Sequence, residues 1–318
     1  MTLVTSVANP SLCSVWRGAV VAAAVLVAAV SLSAQAPAQR DPIVRAGVTE
    51  QIADHTWVIP DDNVVLVPNV GIVAGSRGIL VIDTGMGARN GATVLAEARK
   101  IRPEGTLYLA TTHIHPEHDL GAGAFPRDTI FIRSEDQEKE IAETGLTTAN
   151  LFASRSPVMA DLLKGAAFRH ATVTFSKEHV VDLGGVRVRL IAMGTNHTRG
   201  DTAFFVEPDN VLFAGDLVMR GQPGLSPQST IAHWLESLDT LEALHPTRIV
   251  PSHGPMGDVS MIAGYRTYLQ TIRTRVAALK REGKNIEETA QTVATELEPR
   301  YPDRNRTMAA VRVVYNQQ

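Results

Sequence analysis

Cysteine is nearly missing from this chain: Cys13 is the single one among 318 residues, and it lies in an N-terminal segment that reads as a signal peptide. A chain exported without that segment has neither disulfides nor thiolate ligands, so any metal must be held by histidines and carboxylates. Long apolar runs are missing too. The stretch that comes nearest, residues 19–32 behind Arg17, is too short for a comfortable membrane span, and Ala34-Gln35-Ala36 supplies the small-x-small pattern of a cleavage site. The expectation is a signal peptide over residues 1–36, cleaved after Ala36, and a periplasmic or secreted chain of residues 37–318. An uncleaved N-terminal anchor is the competing reading. No charge of one sign dominates: the formal charge is −3, and losing the leader, which carries Arg17 and no acid, takes it to −4. Neither a polyphosphate groove nor attraction to an anionic membrane is suggested. The expected partner is a small-molecule substrate, with no nucleic acid and no stable membrane association after cleavage.

The remaining 282 residues are enough for one large α/β domain. From Thr56 to Asp83 short β-branched runs alternate with turn signals: Trp57-Val58-Ile59, Val64-Val65-Leu66-Val67, Gly71-Ile72-Val73-Ala74 and Ile79-Leu80-Val81-Ile82. These predict neighbouring antiparallel strands. Ala92–Lys100 carries Val94, Leu95 and Ala98 on one face, which predicts a helix packed on a sheet. Leu107–Ala110 reads as a buried central strand, with His113 to His118 at its C-terminal end, where α/β folds bind ligands.

Residues 134–168 are charged and helical in composition, and read as either a lid over the site or a packing helix pair. The first pattern then recurs in strands at Val186–Ile191, Ala203–Val206, Val211–Ala214 and Arg248–Val250, with a helix around Ser229–Leu244. Two similar halves are implied by element order, without a detectable sequence repeat. Met261–Arg281, Ile286–Leu297 and Thr307–Tyr315, within residues 257–318, predict closing helices.

His113-Ile114-His115 places two imidazoles one residue apart on an extended or turning backbone, so that both can grip one ion. Pro116-Glu117-His118-Asp119 adds a carboxylate and a third imidazole as the backbone turns, aimed at a neighbouring ion. With these go His197 in Asn196-His197-Thr198-Arg199-Gly200-Asp201, Asp216 in Phe213-Ala214-Gly215-Asp216, and His253 in Pro251-Ser252-His253-Gly254. The ordered set resembles the metallo-β-lactamase superfamily. All five metal-binding motifs of that family appear in order over about Val58 to Gly254, counting Ile82-Asp83-Thr84-Gly85 as the first.

The resemblance implies an α/β protein built as a four-layer αββα sandwich, with a single hydrolase domain over 37–318 and its motif-bearing core at about 58–254. It implies two Zn²⁺ per chain. The first site would take His113, His115 and His197, and the second Glu117, His118 and His253, with Asp216 bridging and Asp83 holding the histidine loop. Glu117 departs from the family's usual Asp by one methylene, roughly 1.5 Å of reach. If it falls short, Asp119 or a water is the substitute. Gly121-Ala122-Gly123 is a second departure, standing where relatives often carry a Gly-Gly-Asn-like stretch.

Two zinc ions about 3.5–4 Å apart hold a hydroxide at neutral pH, which implies hydrolysis of an ester, lactone or amide such as a β-lactam, with Asp216 or Glu117 orienting the water. A thioesterase of glyoxalase II type and a metal-containing, non-catalytic periplasmic binding protein are the alternatives. A nuclease is disfavoured by the missing basic groove, and a flavin-linked diiron oxidoreductase by the retained His115 and the lack of length for a flavin domain. Arg220 reads as a surface ion pair or a substrate-carboxylate contact. His55, His170, His179, His233 and His245 read as ordinary surface or core histidines.

Overall fold

The computed structural model describes residues 40–219, 225 and 229–317. The leader with Cys13, the cleavage site after Ala36 and Arg220 lie outside the described residues. The strands are β1 (Glu50–Ala53), β2 (Thr56–Ile59), β3 (Val70–Ala74), β4 (Gly78–Ile82), β5 (Thr106–Ala110), β6 (Ile130–Ser134), β7 (Val173–Phe175), β8 (Glu178–Asp182), β9 (Arg187–Gly194), β10 (Asp201–Val206), β11 (Val211–Gly215) and β12 (Arg248–Pro251). The helices are α1 (Gly87–Ile101), α2 (Pro116–Asp119), α3 (Glu135–Glu140), α4 (Leu146–Ala153), α5 (Pro157–Leu162), α6 (Ile231–Glu242), α7 (Ser260–Arg281), α8 (Ile286–Leu297) and α9 (Arg304–Gln317).

The strands form a seven-stranded sheet in the order β1 to β7 and a five-stranded sheet in the order β12-β11-β10-β9-β8. β1 to β4 pair antiparallel, whereas β4 to β7 run parallel because helices cross between them. The second sheet is antiparallel except for β11 and β12, which α6 connects.

Period-two alternation decides which side chains meet. Leu80 and Ile82 of β4 join Phe204 and Val206 of β10 and Val211 and Phe213 of β11 in the layer between the sheets. Their neighbours face outward. Ile79 and Val81 pack with Val94 and Ala98 of α1, and Ala203, Phe205, Leu212 and Ala214 pack under α6 to α9. The result is the αββα sandwich. At Gly71 the sheets approach so closely that a Cβ would lie 2.5 Å from the Phe213 ring.

Val64–Val67 departs from the expected strand. Asp62, Asn63 and Leu66 take left-handed backbone angles (φ 52°, 54° and 63°), and the segment is a loop between β2 and β3. Its apolar residues are spent on local packing, Val64 and Val67 being buried, and its polar groups go to the far side of the fold, as described below. The 134–168 excursion is α3, a π-helical turn (Ile141–Gly145), α4 and α5. Phe152, Met159 and Leu162 pack on Met86 and Leu120, so the segment forms a wall beside the site.

Candidate metal centre and active site

The candidate ligands all stand where strands end. β5 runs into Thr111-Thr112-His113, and His115 precedes the first turn of α2, which Pro116 opens and which carries Glu117 and His118. The turn between β9 and β10 holds His197; Asp216 follows β11 and His253 follows β12. α1 comes close to the loop after His118 because Gly91 meets Gly121: a Cβ on Gly91 would lie 2.0 Å from the Gly121 carbonyl oxygen.

Three groups of donors converge: His113, His115 and His197; His113, His118 and Asp216; and Glu117, His118 and His253, each with its ligand atoms within 4.8 Å of one another. In the first, His113 Nε2 and His197 Nε2 lie 3.0 and 3.2 Å from His115 Nδ1. A tetrahedral zinc with bonds of 2.0–2.1 Å sets such nitrogens about 3.3 Å apart, so the arrangement fits with little adjustment. Asp216 stands between the groups, Oδ2 3.2 Å from His197 Nε2 and Oδ1 4.0 Å from His253 Nε2. Glu117 Oε1 is 4.0 Å from His118 Nε2. Glu117 Oε2, His118 Nε2 and Asp216 Oδ1 are buried without a hydrogen-bond partner among the described residues. Burying such atoms unpaired is costly, and a cation between them removes that cost. The donor set of imidazoles and carboxylates fits zinc.

Around the ligands lies a layer of groups that aim them. Asp83, itself at φ 68°, accepts from the Thr112 backbone N–H at 2.7 Å and lies 2.8 Å from His118 Nδ1, leaving His118 Nε2 to face the site. His253 Nδ1 is 2.9 Å from the Val67 carbonyl oxygen, which fixes that ring likewise. Asn69 donates to the carbonyls of Pro251 and Gly254 at 2.9 and 2.8 Å and accepts from Asp61 N–H, while Asp61 accepts from Gly254 N–H. Asp201 accepts from the backbone N–H of His197 and Thr198. Buried Gln137 donates to the Thr111 and Thr112 carbonyls and to Thr202 Oγ1.

Asp119 points away from the ligands. Its Oδ2 is 2.6 Å from Arg133 and accepts from Thr111, and it belongs to none of the three groups. Thr112, Val67, Asn69, Asp61, Gln137 and Asp201 were not legible as parts of the site. Asp201 alone had a signal, the sixth position of the motif containing His197.

Burial, reinforced by the charges of neighbouring histidines, holds His113 and His115 well below the usual imidazole range, so both offer lone pairs. Burial opposes charge on His118 as well, but the Asp83 carboxylate, with Glu117 and Asp216, outweighs it and pushes that ring up to about 9. Burial raises Glu117. Burial also opposes charge on Asp216, yet the histidines around it, His197 first, hold its carboxyl well below the usual range.

Of the candidate ligands, His115, Glu117, His197, Asp216 and His253 line a cavity of about 410 Å³, with His113 and His118 buried behind them. Val64, Val65, Leu66, Phe152 and Met219 give it apolar walls, and Arg155 and Arg306 also line it.

A family model described as metallo-beta-lactamase superfamily matches residues 63–253. The chain is 25% identical over 213 residues to acyl-coenzyme A thioesterase MBLAC2 of Gallus gallus, covering 63% of this chain and 75% of that one. It is 23% identical over 217 residues to a linear primary-alkylsulfatase of Pseudomonas sp. (strain ATCC 19151), covering 58% of this chain and 40% of that one. The fold is similar to that of the inverting sec-alkylsulfatase Pisa1 from Pseudomonas sp., with a TM-score of 0.67, 16% identity, and coverage of 85% of this chain and 50% of the other. It is also similar to a metallo-beta-lactamase from Pontibacter korlensis, with a TM-score of 0.53, 22% identity, and coverage of 70% and 98%. The chain thus spans half the length of the alkylsulfatase it superposes on.

Proposed function

The chain belongs to the metallo-β-lactamase superfamily, a family of hydrolases, and we propose that it is an exported, zinc-dependent hydrolase acting on an ester, lactone or amide of a small molecule. The observation that carries this reading is the set of orphaned buried atoms, Glu117 Oε2, His118 Nε2 and Asp216 Oδ1, beside the His113, His115 and His197 cluster, with Glu117 and Asp216 lining an accessible cavity. His113, His115 and His197 would hold one ion and Glu117, His118 and His253 a second, with Asp216 facing both. Bound there, the ions would supply a water acidic enough to ionise near neutral pH and an electrophile for the scissile carbonyl.

The chain's own residues do the rest. Asp216 stays ionised among its histidines, faces the positions that the ions would take, and would orient the attacking water from there. Asp83 and the Val67 carbonyl lock the rings of His118 and His253 so that each presents Nε2. Val64 to Leu66, Phe152 and Met219 exclude bulk water and receive the apolar part of the substrate.

A thioester is the second reading, favoured by the sequence similarity to a thioesterase. The two are separated by assaying a lactone, a chromogenic cephalosporin, an alkyl ester and an acyl thioester beside elemental analysis of the purified chain. Near two zincs per chain with chelator-sensitive cleavage of one substrate is the expected result. Metal with no turnover of any of them would favour a non-catalytic binding protein.

A further inference from the structure

The cavity above the ligands combines an apolar wall with fixed positive charge. Arg155 follows α4, is exposed, and lines the cavity. Its guanidinium carbon lies 3.7 Å from the centroid of the Phe152 ring, whose centroid in turn lies 5.4 Å from that of His115. Phe152 is buried, so the guanidinium rests on a rigid platform and its entropy cost on meeting an anion is already partly met. Arg306 lines the same cavity and lies 3.5 Å from Asp303. The acids of the cavity are engaged elsewhere: Asp61 accepts from the Asn63 and Gly254 backbone N–H groups, and Glu117 and Asp216 belong to the ligand set. The apolar share of the lining comes from Val64, Val65, Leu66, Phe152 and Met219.

We propose that the substrate is an amphiphilic anion: a hydrolysable ester or thioester with an apolar chain and an anionic group close to the scissile bond, which Arg155 selects. The short stack from His115 through Phe152 to Arg155 sets that closeness, since an anion at the far end of a long chain would lie beyond the guanidinium. A guanidinium pairs with carboxylate, sulfate or phosphate through paired N–H donors, and partial desolvation against Phe152 strengthens the contact. Arg155 is thus a specificity determinant that binds substrate. This proposal rests on the hydrolase reading given above.

The test uses the zinc-loaded protein and matched pairs of substrates. One pair is the hexanoyl ester of p-nitrophenol and that of a nitrophenol bearing a ring carboxylate; the other is the hexanoyl thioester of ethanethiol and that of mercaptopropionate. The anionic member of the cleaved pair is expected to have a kcat/KM about tenfold higher, with the advantage shrinking as salt rises. Arg155→Met is expected to bring that ratio close to one, chiefly by raising KM for the anionic member, and Arg155→Lys to restore part of it. Calorimetry with octanesulfonate, which cannot be hydrolysed by this route, supplies an activity-free reading: about tenfold weaker binding in Arg155→Met is expected. Equal rates within each pair, or unchanged octanesulfonate affinity in Arg155→Met, would overturn the proposal. Arg155-dependent sulfonate binding without turnover of any substrate would instead sink the hydrolase reading and leave the anion site standing.

Discussion

The Nδ1 of His253 and the carbonyl oxygen of Val67 lie 2.9 Å apart, so a loop of the first half of the chain aims a candidate ligand carried by the second. Asn69 sustains that relationship by donating to both Pro251 and Gly254. Asn69→Ala is expected to cost about 2 kcal/mol of stability, because it takes the Asn69 donor from the buried Pro251 carbonyl and from the half-buried carbonyl of Gly254. It is also expected to weaken the second ion about tenfold while sparing the first. Metal titration with stepwise chelation checks the split, and equal weakening of both ions would contradict it.

Asp83 plays the same part for His118, and also pins Thr112, the residue before His113. Asp83→Asn keeps the shape but lets the amide present its N–H to the ring or to the Thr112 amide, where an acceptor is needed. A loss of about 10–100-fold in metal affinity is expected, with activity falling alongside. Added zinc should restore much of the activity; failure of excess metal to do so would point to a misfolded loop.

Variants at the candidate ligands themselves should behave differently. His115→Ala should abolish turnover and remove one ion from the elemental count, because it takes away the central nitrogen of the first group. Glu117→Asp should keep the second ion, since a shorter carboxylate suffices after a small shift, whereas Glu117→Ala should lose it by on the order of a hundredfold in affinity. Retention of two ions by Glu117→Ala would remove Glu117 from the ligand set.

Arg133 and Asp119 form a fully buried pair just behind the ligands, 2.6 Å apart. Arg133→Met should cost about 3–5 kcal/mol by leaving buried Asp119 with Thr111 but no cation, and by taking the same cation from Glu138. Asp119→Asn should destabilise less and leave the metal stoichiometry unchanged. Thermal unfolding and elemental analysis on the two variants separate this structural pair from the site it supports.

Glu97 on α1 is buried and accepts from Gly47 N–H at 3.0 Å and Thr49 Oγ1 at 2.7 Å, with Lys100 beside it. Burial opposes its charge, but these partners, Lys100 first, hold its carboxyl below the ordinary glutamate range. A carboxyl lowered in the folded state stabilises the fold above its unfolded pKa and loses that contribution as pH falls through the folded value. Glu97→Gln should therefore cost about 1–2 kcal/mol near neutrality and much less in acid. Melting temperatures between about pH 3 and pH 7 should show wild type and variant converging as the pH drops, and parallel curves would count against the assignment.

The sequence disclosed the site better than its surroundings. The run from His113 to His118 is short and contiguous, so His113, His115 and His118 could be named from spacing; His197, Asp216 and His253 were named through the resemblance to the metallo-β-lactamase superfamily, and the structure brings all six together. Strands that are compact apolar runs, such as β4 and the Ala203–Val206 part of β10, were readable for the same reason, as were α7 and α8. β8, with the polar-ended Glu-His-Val-Val-Asp, and the three-residue β7 offer too little pattern to be seen: β8 is an edge strand held by β9 alone, and β7 pairs with the distant β6. Val64–Val67 misled in the opposite direction: its composition is that of a strand, but Asn69 and Asp61 are bonded to the Pro251–Gly254 turn. No local window contains that partner. Arg155 escaped notice because its role depends on Phe152 and His115 meeting in space.

The unbroken order of strands is also an order in time. All seven strands of the first sheet leave the ribosome before the first strand of the second, and the covering strands β8 to β12 then need residues 178–251. At roughly 5–20 residues per second, that interval lasts several seconds. During it the inward side chains of β2 to β7, Leu80 and Ile82 among them, have no opposing layer. The nascent chain therefore passes through a half-built, adhesive stage, in which His113, His115 and His118 already exist but His197, Asp216 and His253 do not. Ribosome-stalled chains long enough for β7 to have cleared the exit tunnel, but too short for β9 and β10 to have done so, should be the ones that recruit holdase chaperones most strongly.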